Sequence, residues 1–158
     1  MEHLGIIAIF NSNPDAIDML TSALSAAGFV VVSALVHELR ERDVDLEDFL
    51  STHKPAVIVF DVAPPYGLNW RLLERLRAMP SAQDSRFVVT SVNPQRAEEL
   101  SRGEYQIHEV VGKPYDLGRI TDAVKDAFRA RPTRDEGVSG DPTREAITHV
   151  IERRKRPR

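Results

Sequence analysis

Five short apolar runs, each followed by a stretch of helical periodicity, limit what this chain can fold into more than any other feature. The strand candidates are Leu4–Phe10 (LGIIAIF), Phe29–Val32, Ala56–Phe60 (AVIVF), a run opening at Phe87–Val89, and the brief Glu109–Gly112. The first and third are continuously apolar rather than alternating, which suits strands covered on both faces. Leu4–Phe10 reaches about a third of the roughly 20 residues a membrane span needs. It follows Glu2 and His3 rather than a basic stretch, and no small-residue cleavage site comes after it. No secretory signal is therefore expected, and the cytoplasm is the expected compartment.

The intervening segments carry helix punctuation. Asn13 can cap a helix whose first position is Pro14, where a missing N–H costs nothing. Ile17, Leu20 and Leu24 then recur on one face, and Gly28 stands where a left-handed C-terminal cap is wanted. Residues 35–54 are polar, with Leu46, Phe49 and Leu50 suggesting one short amphipathic helix. Pro64, Pro65 and Gly67 interrupt the chain before a helix face of Leu72, Leu73, Leu76 and Met79, headed by Trp70 as a packing residue. Another helix is expected over Pro94–Arg102, and a last one buries Leu117, Ile120, Val124 and Phe128. Strand–helix alternation of this kind specifies an α/β fold over residues 1–130: a doubly wound, five-stranded parallel sheet with helices on both faces, of flavodoxin-like type. Residues 131–158 read as a linker and basic tail, with a short helix over 143–154 that its small apolar stripe could not sustain alone.

Composition removes whole classes of chemistry. With no cysteine there is no disulfide scaffold, Cys-ligated metal or thiol nucleophile. The five histidines lack metal-ligand spacing, and neither a G-x-S-x-G elbow nor a glycine-rich phosphate loop is present. The net charge of −3 divides into +3 for residues 131–158 and −6 for the rest, so the body argues against nucleic-acid binding.

In open parallel sheets, functional residues collect beyond the carboxyl ends of the strands. Those ends carry Asn11 and Ser12, then Asp61, then Thr90 and Ser91, then Lys113 followed by Pro114. A carboxylate can accept a phosphoryl group, a hydroxyl can bond its oxygen, and an ammonium can offset its charge. With these residues in this order on five alternating units, the chain resembles the receiver domain of two-component response regulators over roughly residues 4–130. The resemblance implies phosphorelay signal transduction without enzymatic turnover of a substrate. It makes Asp61 the candidate phosphoacceptor, Thr90 the switch hydroxyl and Lys113 the pocket lysine, with Ala63, Ser12, Ser91 and Pro114 nearby. Ser91 competes with Thr90 by spacing. The Lys113–Pro114 peptide is expected to be cis. Implied partners are a histidine kinase or phosphotransfer protein, and a downstream protein or second copy at the face of the fourth helix, fifth strand and fifth helix. No membrane is implied.

The departures from that pattern bear on mechanism. Receivers carry two acidic residues after strand 1 that hold Mg²⁺ with the phosphoacceptor; here Asn11 and Ser12 stand there. Asp61 and Asn11 remain as weak metal candidates, and Mg²⁺ affinity is expected to fall sharply. Val110 replaces a common aromatic switch residue, and Asn69 replaces a glycine between strand 3 and the following helix. A phosphorylation-independent interaction module is therefore the alternative reading. A flavodoxin-like cofactor binder is disfavoured, because the Asn-Ser-Asn-Pro turn after strand 1 has no glycine.

Overall fold

The structure, a computed structural model, describes residues 3–41, 44–102 and 106–130. The expected linker, basic tail and helix over 143–154 lie outside those residues. In chain order the elements are β1 (Ile6–Asn11), α1 (Pro14–Ala26), β2 (Val30–Leu35), α2 (Val36–Arg40), α3 (Leu46–His53), β3 (Val57–Val62), α4 (Tyr66–Ala78), β4 (Arg86–Ser91), α5 (Pro94–Ser101), β5 (Ile107–Gly112) and α6 (Leu117–Ala130). A short 3₁₀ turn, Pro80–Ala82, links α4 to β4.

All paired strands are parallel, in the order β2-β1-β3-β4-β5, which is the expected doubly wound sheet. Side chains alternate between its faces. Ala8, Phe10, Ile58, Phe60, Phe87 and Val89 pack under α2, α3, α4 and α5, while Ile7, Ile9, Val57, Val59 and Val88 pack under α1 and α6. One irregularity matters for the site. Phe87 pairs with Ile107 but Val88 pairs with Glu109, so β5 holds an extra residue at His108.

The local signals act as read at the start of α1: Asn13 accepts a hydrogen bond from the Asp15 amide, and Pro14 opens the helix. Gly28 takes φ +102°, where a Cβ would be strained, and turns the chain into β2. Three readings need correction. The segment 35–54 holds two helices, because Val36 and Leu39 bury a first short face before Leu46 and Leu50 bury a second. Gly67 lies inside α4 rather than breaking the chain before it. Leu117 is 38% exposed, because it lines an open surface groove with Met19, Ser22 and Ala23 of α1; Ala123 and Ala127 join Ile120 and Val124 in the core instead. Phe128 is half-buried, its ring edge-on to Phe29 at 5.5 Å.

Leu73 is wholly buried while its neighbour Glu74 is exposed. Leu73→Ala should lower unfolding stability by about 2–5 kcal/mol, whereas Glu74→Ala should stay within about 0.5 kcal/mol of the parent. Urea unfolding of the two variants checks both values.

Candidate functional site

The pleat decides which polar residues can meet. Along the face covered by α1 and α6, the rows Ile7-Ile9, Val57-Val59 and Val88 end at Asn11, Asp61 and Thr90. Asp61 and Thr90 are direct partners across the β3–β4 pair. Ser91, one residue on, faces the opposite side with Phe87 and Val89. The competition between the two hydroxyls is thus resolved by register: only Thr90 shares the carboxylate's face.

The Thr90 hydroxyl donates to Asp61 Oδ1 at 2.6 Å, and Lys113 Nζ donates to both carboxylate oxygens, at 3.1 and 3.3 Å. Asp61 is only 1% exposed and Thr90 is buried, whereas the Lys113 side chain keeps 31% of its surface in water. The lysine is held from behind, its amide donating to the Ser91 carbonyl at 2.9 Å, and the Lys113–Pro114 peptide is cis as expected. A buried carboxylate is costly unless paired and hydrogen-bonded, and here it is both. Oδ1 takes two donors and Oδ2 one, so Oδ2 is the less encumbered oxygen.

The other candidates do different work. Asn11 is buried, and its side-chain oxygen accepts from the Asn13 amide at 2.9 Å; Ser12 is exposed. Ser91 Oγ accepts from the Asn93 amide at 3.0 Å, shaping the turn into α5, whose N-terminus Asn93 caps. Pro114 is exposed, and the Ala63 carbonyl accepts from the side-chain amide of Asn69. Trp70 is buried in packing, stacked on Tyr66 with centroids 6.3 Å apart.

Mg²⁺ prefers several carboxylate and water oxygens around it. The cluster has one carboxylate, already offset by an ammonium, and no group of three or more His, Cys, Asp or Glu side chains among the described residues could hold a metal. The residues present fit this cation poorly.

Sequence reading missed Tyr115. Burial raises its phenol pKa above the usual value, and the negative charge of Asp61 adds to the rise. No spacing marks this tyrosine beforehand; only the fold brings it close enough to feel the carboxylate.

No family model matches the sequence, and no curated protein is similar to it. Solved structures are similar in fold. A sensor protein from Polaromonas sp. JS666 superposes with a TM-score of 0.64 and 20% identity, covering 79% of this chain and 96% of that one. A response regulator from Thermotoga maritima gives 0.62 and 18%, covering 80% and 98%. The response regulator TrrA from the same organism, in complex with Mg²⁺-BeF, gives 0.59 and 17%, covering 78% and 98%. The chain has the receiver fold.

Four outcomes test the cluster. Thr90→Val should cost about 1.5–3 kcal/mol, the range for a hydrogen bond to a charged group. Lys113→Met should cost less than the roughly 3–5 kcal/mol of a fully buried pair, because the lysine is partly solvated. Chemical denaturation of each variant measures these losses. Because the folded state raises the Tyr115 pKa, its neutral phenol contributes stability that is complete below the unfolded value near 10 and is lost as pH climbs through the higher folded value. Tyr115→Phe should abolish that part of the alkaline loss. Ultraviolet titration of Asp61→Asn should show the Tyr115 pKa lowered but still above its ordinary value, since burial is the larger cause.

Proposed function

We propose that this chain is a receiver-type signal-transduction module in which Asp61 takes a phosphoryl group from a histidine kinase or phosphotransfer protein. The observation that supports this reading is the convergence of Asp61, Thr90 and Lys113, which are separated by 29 and 52 residues from the aspartate onward. In the transfer, Asp61 Oδ2 attacks phosphorus and the bond from phosphorus to the donor's imidazole nitrogen breaks. That nitrogen keeps the electron pair, and the product is an acyl phosphate. Lys113 offsets the charge that gathers on the phosphoryl oxygens, and the Thr90 hydroxyl turns from the carboxylate to one of them. No substrate is turned over, so the output is protein–protein contact.

The face formed by α5, β5 and α6 is the proposed contact surface for a downstream partner or a second copy. β5 is an edge strand, and beside it lies an open cleft of about 350 Å³ lined by Glu98, Arg102, His108 and Glu109 among others. Its charged lining suits a regulated, polar contact better than a permanent apolar one.

One observation favours a second reading, phosphorylation-independent binding: the carboxylate is buried with both oxygens engaged, and Asn11 and Ser12 supply no negative charge. Incubation with acetyl phosphate and Mg²⁺, followed by intact-protein mass spectrometry, separates the two. A phosphate adduct on the parent that is absent from Asp61→Asn supports the phosphoacceptor reading. An adduct that persists in Asp61→Asn refutes the assignment of Asp61, and no adduct on either protein favours the second reading.

A further inference from the structure

A chain of polar contacts runs from α2 through α4 to the loop just beyond Asp61. Arg40, at the end of α2, donates from a guanidinium nitrogen to Asn69 Oδ1 at 3.3 Å, and Asn69 Nδ2 donates to the carbonyl of Ala63. Asn69 is 2% exposed although it sits in the first turns of an exposed-faced helix, a costly place for a carboxamide unless both its ends are used. Both are used here.

The loop needs such a contact. Among the described residues no backbone amide donates to the Ala63 carbonyl, not even those of Tyr66 and Gly67 just beyond the two prolines at 64 and 65. A cation is the other device that could hold a carbonyl at this edge. The electrostatics oppose it, because the single carboxylate is already offset by Lys113 and the guanidinium of Arg40 adds positive charge behind the loop. That guanidinium also polarises the Asn69 amide, which strengthens it as a donor to Ala63.

We propose that Asn69 is a positioning residue which, backed by Arg40, fixes the β3–α4 loop beside Asp61, so that the site keeps its shape without a divalent cation. This rests on the loop geometry and not on phosphorylation of Asp61, so it stands or falls separately from the function proposed above.

The test uses the full chain. Amide hydrogen exchange at Trp70, Arg71 and Leu72, the amides that bond back to the first turn of α4, and the emission of Trp70, the single tryptophan, are followed in EDTA and in excess MgCl₂. In the parent, both readouts should be the same in the two conditions. Asn69→Asp keeps an acceptor for Arg40 but loses the donor to Ala63; Asn69→Ala loses both. Each should speed exchange at those three amides by about tenfold or more, the change expected for one buried hydrogen bond, while the amides of Ile9 and Val59 in the sheet stay protected. Arg40→Met should give a smaller increase at the same positions. Slower exchange of those three amides in the parent on adding MgCl₂ would make the cation the holder and overturn the proposal. So would Asn69→Asp exchanging at the parent rate. Should the Asn69 variants fail to fold, the comparison of EDTA with MgCl₂ in the parent decides alone.

Discussion

A carboxylate that has lost nearly all contact with water must be compensated on the spot, and the arrangement around Asp61 follows from that requirement. Thr90 supplies a hydroxyl from the neighbouring strand, and Lys113 supplies an ammonium from beyond the edge strand. Neither could do so without the sheet. Parallel pairing sets Thr90 directly opposite Asp61, and the backbone bond from Lys113 to Ser91 fixes where the lysine leaves β5. The apolar rows beneath, from Ile7, Val57 and Val88, make the floor on which these polar ends stand. Fold and site are continuous: the same alternation that fills the core leaves its last polar residues on one face.

The cluster is balanced rather than acidic. One negative and one positive group face each other, and the backbone turn after β1 uses the Asn11 side chain to satisfy an amide. In the proposed transfer Lys113 must serve the incoming phosphoryl group as well as the carboxylate. Stability and reactivity are therefore in tension, since every contact that makes Asp61 tolerable in the interior also competes with its use as a nucleophile.

Much of this was legible in the residues. Continuous runs such as AVIVF can be buried only as interior strands, and Asn13-Pro14 and Gly28 mark the two ends of α1 by backbone chemistry that tertiary context did not override. Asp61, Thr90 and Lys113 were readable because they end successive strands. What escaped had weak or ambiguous local signals. The five residues of α2 bury two side chains, too few to show periodicity. Asn69 reads as a solvent-facing or loop residue until Arg40 and Ala63 are seen to use both ends of its amide. Leu117 has the spacing of a core residue but lies at an open groove between α1 and α6, where nothing covers it fully.

The extra residue in β5 also has a consequence for the chemistry. Ile107 packs on the α4 and α5 side, in phase with its partner Phe87, while Val111 packs on the α1 and α6 side. Uninterrupted alternation from Ile107 would carry residues 109, 111 and 113 to the same side as Ile107, and the ammonium would emerge across the sheet from the carboxylate. His108 acts as a half-step that reverses this parity. Evolution of the strand is accordingly constrained in number as well as in kind: the distance from hydrophobic anchor to lysine, counted in residues, determines whether opposite charges meet.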